Sequence, residues 1–297
     1  DWSSDVCSSD LGSGILTFSL DGTVRVWDLI GNNLVKIRQQ TWRFAREENK
    51  LNGYYIREMM PHCCLSGDGK WAVFYGDEES QEPVDLWDLQ GNKIAVLQVE
   101  GEEILPPLGF APDSGFLVTS CTDGSVRIWG LDGSLKKTIP EVNMGNNLSF
   151  SLDGKTIAFS RLRDIYLWDL EAGKQLQVRE KIQDFGAIAT VDFSPNGGYI
   201  LTAGLNDGTV RLWDLFLEPV AVLHGGEKLI KDLGDRVQNT GDIVAAKFSP
   251  DGRYILAVSQ KAIDASGYLF LWRVAEFLSE EKSDRLGESL PQLIRIC

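Results

Sequence analysis

Short runs of alternating apolar and polar residues, each ending in tryptophan, recur along the chain. The most similar copies are DGTVRVWDL (21–29), DGSVRIWGL (123–131) and DGTVRLWDL (207–215), and the weaker ones are VDLWDL (84–89), IYLWDL (165–170) and LFLWRV (269–274). Alternation with a period of two indicates half-buried β-strands. The strands end, about 40 to 60 residues apart, at Trp27, Trp87, Trp129, Trp168, Trp213 and Trp272. This spacing predicts six copies of one β-rich repeat.

A tight turn upstream of the tryptophan strand sets the register within a repeat. Five such turns occur, namely LSGDG (65–69), FAPDS (110–114), FSLDG (150–154), FSPNG (193–197) and FSPDG (248–252). Proline presets φ, Asp or Asn bonds back to its own backbone, and glycine tolerates positive φ, so each segment reverses the chain. Each repeat is therefore expected to contain strands a, b, c and d, with the turn between a and b and the tryptophan ending c.

Four short antiparallel strands per repeat, a Trp-Asp end and glycine-rich turns are typical of a β-propeller blade. The predicted fold is an all-β propeller over residues 12–273, with six four-stranded blades of which the first and last are incomplete. The first repeat has no upstream turn and no evident strand a, and the sixth has no clear strand d. Closure of the ring is thus expected to need residues upstream, and unpaired strand edges should make the chain associate.

Both ends of the chain depart from the repeat. Residues 1–11, DWSSDVCSSDL, match one translated frame of a common short-read sequencing adapter, so we interpret them as an artefact rather than native sequence. Residues 274–297 are rich in charge, and a short helix is predicted near residues 275–282 before Gly287 and Pro291 interrupt it. We therefore expect a polar, partly helical tail in a chain that is truncated at both ends.

Charge and cysteine content narrow the classes of partner. The chain has 29 basic and 43 acidic residues and a net charge of -14, which disfavours nucleic acid and anionic membranes. Outside the first eleven residues, the cysteines are Cys63, Cys64, Cys121 and Cys297. The adjacent pair cannot easily bridge to itself, and no CxxC occurs, so reduced thiols in a cytoplasmic protein are expected.

Catalytic patterns are weak. Residues 153–156, DGKT, resemble the end of a phosphate-binding loop, but Ser149 stands where that motif needs glycine, and the same residues form a repeat turn. His62 and His224 are the only histidines and lack the spacing of a metal site. No catalytic, cofactor-binding or metal-binding residue is predicted, and we expect no enzyme. A propeller enzyme or small-ligand binder with carboxylates in a central channel is the alternative.

The Trp-Asp ends, the SPDG-type turns and the DGTVRLWD strands together resemble the WD-repeat family, and the LWDLxGN turns resemble its bacterial, cyanobacterial-type members. Such propellers are often the C-terminal sensor region of a longer signalling protein. The family has a buried network of His, a strand-b Ser or Thr, a b–c Asp and the strand-c Trp. That Asp occurs here as Asp21, Asp123 and Asp207, while the others are Gln81, Leu162 and Ser266. The resemblance thus implies partial, structural networks in which Asp bonds the amides of its own turn.

Insertions point to the side of the fold that binds a partner. Extra length lies at residues 39–55, 76–83, 224–242 and 260–267, all of them d–a or b–c connections, which emerge on one side. Candidate anchors are Trp42 and Phe44, although both could equally pack back onto a sheet edge. The acidic residues of the neighbouring connections include Asp77, Glu78, Glu79, Glu102 and Glu103. They either favour a basic partner or form only a solvated rim. The predicted function is a non-catalytic protein-protein interaction platform within a larger, signalling protein.

Overall fold

The computed structural model describes residues 6–8, 15–18, 23–27, 33–38, 63–74, 84–145, 147–180, 187–205, 208–224, 242–260, 267–275 and 292–296. These residues form 24 strands, which are arranged as six four-stranded antiparallel sheets. Two compact units are present, Asp1–Asn143 with sheets 1 to 3 and Met144–Cys297 with sheets 4 to 6.

The strands of the first unit are 3 to 7 residues long. Sheet 1 contains β1 (Val6–Ser8), β2 (Ile15–Phe18), β3 (Thr23–Trp27) and β4 (Asn33–Arg38). Sheet 2 contains β5 (Cys63–Leu65), β6 (Trp71–Phe74), β7 (Val84–Asp88) and β8 (Lys93–Leu97). Sheet 3 contains β9 (Ile104–Phe110), β10 (Phe116–Cys121), β11 (Val126–Gly130) and β12 (Leu135–Ile139).

The second unit repeats this arrangement. Sheet 4 contains β13 (Asn147–Phe150), β14 (Thr156–Arg161), β15 (Asp164–Asp169) and β16 (Lys174–Arg179). Sheet 5 contains β17 (Ile188–Phe193), β18 (Ile200–Gly204), β19 (Thr209–Trp213) and β20 (Pro219–His224). Sheet 6 contains β21 (Asp242–Phe248), β22 (Tyr254–Gln260), β23 (Gly267–Arg273) and β24 (Gln292–Ile296).

Each sheet is a meander in which strands pair in chain order, a to d. The a–b and c–d turns therefore leave one end of the sheet, which we call the turn side. The d–a and b–c connections leave the other end, which we call the loop side. This topology confirms the all-β fold class of four-stranded antiparallel sheets consistent with propeller blades.

Sheets 1 and 6 correct one expectation, because each has four strands rather than three. In sheet 1, β1 supplies strand a through the pairs Val6↔Thr17 to Ser8↔Ile15. In sheet 6, β24 supplies strand d and pairs with β23 from Gly267↔Ile296 to Leu271↔Gln292. Backbone pairing needs no repeat motif, and β24 follows a long charged segment instead of a short c–d turn, so the sequence pattern missed both strands.

The two ends of the chain each contain one described strand. β24 shows that the tail is not entirely polar and helical, since residues 292–296 pair as a strand. Most of the helix expected near residues 275–282 lies outside the described residues. The interpretation of residues 1–11 as an adapter artefact stays a prediction, because backbone hydrogen bonds form whatever the origin of a segment.

A bulge marks the tryptophan of strand c in five sheets. The register between strands c and d shifts at the residue before the tryptophan, which then pairs in Trp27↔Asn33, Trp87↔Lys93, Trp129↔Leu135, Trp168↔Gln175 and Trp213↔Pro219. Bulges bend a strand and increase its local twist. In these five sheets, the backbone of strand c therefore bends at the tryptophan.

The hydrophobic cores lie between neighbouring sheets. In the first unit, Leu86 of sheet 2 and Leu117 and Trp129 of sheet 3 belong to one buried cluster. In the second unit, one cluster joins sheets 4 and 5 and contains Trp213, and another joins sheets 5 and 6 and contains Trp272. Trp129, Trp213 and Trp272 are at most 3% exposed. Trp87 and Trp168 are half-buried, and the side chain of Trp27 lies outside the described part.

Strands a of sheets 4, 5 and 6 are also joined by hydrogen bonds. The backbone N–H of Phe193 in sheet 5 donates to Ser149 Oγ of sheet 4 at 2.9 Å. The N–H groups of Ala246 and Phe248 in sheet 6 donate to Thr190 Oγ1 at 3.2 Å and Asp192 Oδ2 at 3.0 Å, both in sheet 5. Polar residues on strand a thus hold adjacent sheets in register.

The predicted a–b turns are confirmed, and each is fixed by a side chain. Asp251 Oδ1 accepts hydrogen bonds from Ser249 Oγ at 2.6 Å and from the Arg253 N–H at 3.0 Å. Asn196 accepts the corresponding bonds from Ser194 Oγ and the Gly198 N–H in sheet 5. The hydroxyl of Ser249, followed by the N–H of Arg253, lowers the pKa of Asp251 to about 2.

The same turn geometry acts on two further carboxylates. The pKa of Asp153 lies below its usual value, chiefly because Ser151 donates to the carboxylate. Burial raises the pKa of Asp68, but hydrogen bonds from Ser66 and Lys70 outweigh it and leave the value lowered. Asn196 shows that this turn needs an acceptor oxygen rather than a charge.

We predict that the triple variant Asp68→Asn/Asp153→Asn/Asp251→Asn resists acid better than the parent chain. Each folded-state pKa lies below the unfolded value of about 3.9, so the unfolded state takes up protons first as pH falls, and the contribution of these turns is lost between about pH 5 and pH 2. Asparagine keeps the acceptor and cannot titrate there. Urea midpoints at pH 7 and pH 3 should differ less for the variant than for the parent.

The matched control is Glu100→Gln/Glu141→Gln/Glu180→Gln, which removes three exposed carboxylates outside the turns. Its urea midpoint should fall between pH 7 and pH 3 as much as that of the parent. An equal fall for the parent and the turn variant would show that these turns do not set the acid response.

Candidate functional site

A buried hydrogen bond fixes the tryptophan of strand c in sheets 3 and 5. Trp129 Nε1 donates to Thr119 Oγ1 at 3.0 Å, and Trp213 Nε1 donates to Thr202 Oγ1 at 2.8 Å. Both threonines lie on strand b and are fully buried. This is the part of the expected network that needs no histidine.

Sheet 3 also contains an ion pair between strand c and the b–c turn. Arg127 donates to both carboxylate oxygens of Asp123, at 3.2 and 2.8 Å, and the Ser125 N–H donates to Asp123 Oδ1 at 2.9 Å. Burial raises the pKa of Asp123, but the hydrogen bonds from Ser125 and Arg127 outweigh it, so the pKa is lowered. Asp123 therefore stays ionised and serves the b–c turn, as the sequence predicted.

The arginine is the residue that sequence reasoning missed. Arg127 is only 6% exposed, although it carries a full charge. The signal was present, because arginine stands two residues before the tryptophan in all three DG-containing copies, as Arg25, Arg127 and Arg211. Asp21 and Asp207 lie outside the described residues, so the pairing is shown for Asp123 alone.

Sheets 2, 4 and 6 replace this network. The strand-b position of Thr119 is held there by Phe74, Phe159 and Ala257, and the strand-c position of Arg127 by Asp85, Tyr166 and Phe270. Tyr166 stacks on Phe159 at 5.1 Å, and Asp85 pairs with Lys93 at 2.6 Å. In these described sheets, the buried Nε1 atoms of Trp87, Trp168 and Trp272 have no hydrogen-bond partner. Sheets 4 and 6 thus have an aromatic or apolar version of the repeat at these positions, and sheet 2 has a different ion pair.

On the loop side of the first unit, the d–a and b–c connections of neighbouring sheets meet. Thr122 Oγ1 donates to Glu102 Oε2 at 2.6 Å and accepts the Glu103 N–H at 3.0 Å. The Asn143 N–H donates to the Gly124 carbonyl at 2.8 Å, which ties the following d–a connection to the same turn. Loop-side segments that are distant in sequence therefore form one fixed surface.

This surface is acidic. Its carboxylates, which we call the acidic rim, are Glu100, Glu102, Glu103, Asp123 and Glu141. Segments 98–103, 122–125 and 140–143 contain no lysine or arginine. Glu100 and Glu141 are exposed, and Asp123 is the rim member neutralised by Arg127. The arrangement attracts cationic groups by charge.

Two of the predicted binding residues, Glu102 and Glu103, are thereby placed together. The others, Trp42, Phe44, Asp77, Glu78 and Glu79, lie outside the described residues. Within the described ranges, no group of three or more His, Cys, Asp or Glu side chains could hold a metal ion. Across those ranges, no helix is long and apolar enough to cross a membrane.

The two sheets with a bonded tryptophan are also those that a known family matches. Residues 105–130 and 179–214 match the WD40 family, described as WD domain, G-beta repeat. These segments cover strands a to c of sheets 3 and 5, including Thr119, Trp129, Thr202 and Trp213. The match supports WD40 repeats in this chain.

Relatives with this type of repeat align over much of the chain. Transcription initiation factor TFIID subunit 5 of Caenorhabditis elegans is 26% identical over 200 residues, which are 64% of this chain and 26% of the relative. Telomerase protein component 1 of Rattus norvegicus is 30% identical over 257 residues, which are 84% of this chain and 9% of the relative. The LST8 homolog of Drosophila pseudoobscura pseudoobscura is 23% identical over 288 residues, which are 89% of this chain and 76% of the relative.

The chain thus spans about a quarter of the TFIID subunit and about a tenth of the telomerase component. All three relatives are eukaryotic proteins, so they lend no support to the bacterial resemblance.

We predict that Thr119→Val lowers the free energy of unfolding by about 1–3 kcal/mol, because it leaves Trp129 Nε1 buried without an acceptor. Valine has nearly the same shape as threonine, so packing is kept. Urea unfolding followed by tryptophan fluorescence measures the change. Thr138→Val, on the exposed face of β12, is the control and should have little effect. Equal stability of the Thr119 variant and the parent would contradict a stabilising role for this bond.

Proposed function

We propose that the chain is a non-catalytic protein-protein interaction platform whose partner binds on the loop side. The observation that carries this proposal is the joining of Glu102, Glu103 and Thr122, which fixes an acidic surface made from separate connections. A rigid, exposed and strongly charged surface favours recognition of a complementary partner. The partner is proposed to be a basic protein segment.

The relatives are consistent with this function. By its name, the nematode relative is a subunit of a transcription initiation factor, and the rat relative is a protein component of telomerase. Both names describe one part of a larger assembly. A role as one interacting part of an assembly is therefore proposed for this chain as well.

The proposal extends to the larger protein, its location and its apolar anchors. We propose that the six sheets are blades of a propeller that forms the scaffold or sensor region of a larger signalling protein of bacterial type. A cytoplasmic location is proposed because Cys121 is a buried free thiol, and burial raises its pKa, which suits a structural thiol. Trp42 and Phe44 are proposed as apolar anchors for the same partner.

The test is affinity capture with the immobilised chain, quantified for the parent and three variants. Glu100→Gln/Glu141→Gln removes two exposed rim charges and should reduce capture about tenfold. Trp42→Ala/Phe44→Ala should reduce it by a similar factor. With the purified partner, the association rate should fall as the salt concentration rises, because the attraction is electrostatic.

The matched control is Gln90→Lys/Leu135→Lys, which changes the net charge by the same amount at exposed positions at the turn-side end of the sheets. This control should capture as much partner as the parent chain. If the control abolishes capture while both loop-side variants keep it, the partner binds on the turn side, and the proposal is wrong.

A further inference from the structure

The b–c turn of sheet 4 has an unusual backbone. Arg161 and Asp164 pair across it, so only Leu162 and Arg163 connect β14 to β15. Leu162 has φ 53°, in the left-handed region that side chains with a Cβ adopt at a cost. In the b–c turns of sheets 3 and 5, the left-handed residues are Gly124 and Gly208, which avoid that cost.

Burial does not compensate for the strain at Leu162. Leu217 in the c–d turn of sheet 5 also has a left-handed φ, of 60°, but its side chain is only 1% exposed and belongs to the core. The side chain of Leu162 is 78% exposed, more than that of any other large apolar residue among the described ones. Strain kept at an exposed apolar residue, where glycine or asparagine would fold better, is a mark of functional sites.

The turn is also fixed in position. The N–H of Ile188, at the start of β17, donates to the Leu162 carbonyl at 2.9 Å. This bond ties the turn to the neighbouring sheet of the same unit. Leu162 is therefore presented on the loop side by a backbone that is held from both β14 and β17.

Two arginines flank the leucine in an acidic protein. Arg161 and Arg163 are both exposed, and neither makes an ion pair with any described residue. The adjacent Asp164 accepts a hydrogen bond from the Tyr166 hydroxyl at 3.3 Å. An apolar side chain between two exposed guanidinium groups complements an apolar residue flanked by carboxylates, since arginine binds carboxylates in bidentate fashion.

We propose that Arg161, Leu162 and Arg163 form a docking turn for an acidic, apolar-containing segment of a partner protein. The apolar residue of that segment packs on Leu162, and its carboxylates pair with the arginines. The proposal rests on the proposed function as an interaction platform. The docking turn lies in the second unit and is proposed to bind an acidic segment. The acidic rim lies in the first unit and is proposed to bind a basic segment.

The test is fluorescence anisotropy at about 0.15 M salt with two labelled peptides. One peptide has leucine and phenylalanine flanked by glutamates, and the other is its twin with lysine in place of glutamate. Arg161→Glu/Arg163→Glu should weaken binding of the glutamate peptide at least about tenfold. It should leave binding of the lysine peptide unchanged or stronger.

Leu162→Asn separates binding from stability. Asparagine tolerates the left-handed region, so the Tm should stay the same or rise by up to about 3 °C. Binding of the glutamate peptide should nevertheless weaken by about five- to tenfold, because the apolar contact is lost. A purely structural leucine would show no such loss of binding.

Matched controls lie at the opposite end of the same sheet. Leu152→Asn changes a leucine that is 64% exposed in the a–b turn, and Lys174→Glu reverses an exposed charge at the start of β16. Both should bind the glutamate peptide as the parent does.

The proposal is overturned if the glutamate peptide fails to bind the parent, or if the controls weaken binding as much as the docking-turn variants. Either result, together with partner capture that depends on the acidic rim, would refute the docking turn and leave the proposed function standing.

Discussion

The structure depends on a simple constraint, which is that a four-stranded sheet cannot bury both of its faces by itself. The apolar clusters accordingly join sheet 2 to sheet 3, sheet 4 to sheet 5 and sheet 5 to sheet 6. In sheets 3, 5 and 6 the tryptophan at the end of strand c is buried in these clusters, and in sheets 3 and 5 a bulge before it bends the strand. Stability is therefore shared between adjacent repeats, which is the usual behaviour of repeat proteins.

The repeats meet this constraint in two ways. Sheet 3 uses a polar solution, in which Thr119 accepts from Trp129 and Arg127 is neutralised by Asp123. Sheet 4 uses an apolar one, in which Tyr166 stacks on Phe159. The family match falls on the polar repeats, and the strained turn at Leu162 falls in an apolar repeat. The b–c turn of sheet 4 lacks the Asp-Gly pair of the other type of repeat and exposes Leu162 between two arginines instead.

Much of the fold could be predicted from the sequence, because alternation, turn chemistry and the tryptophan spacing are all local signals. The turn at Ser249 and Asp251 is one example, since its side-chain bonds follow from neighbouring residues. β24 could not be predicted in the same way, because a distant segment completes its sheet through backbone bonds. The site was predicted only in part. Acid at Glu102 and Glu103 was visible in the sequence, but their junction with Thr122 depends on contacts between connections about 20 residues apart.

The central claim is that partners bind on the loop side of these sheets. Hydrogen–deuterium exchange of the chain, free and bound to a captured partner, tests this claim most directly, since it reports protection along the backbone without any substitution. The account predicts that binding slows exchange at residues 98–103, 122–125 and 140–143, while exchange in the turns at residues 66–70 and 88–92 stays unchanged. Protection confined to those turns, with the loop-side segments unaffected, would contradict it.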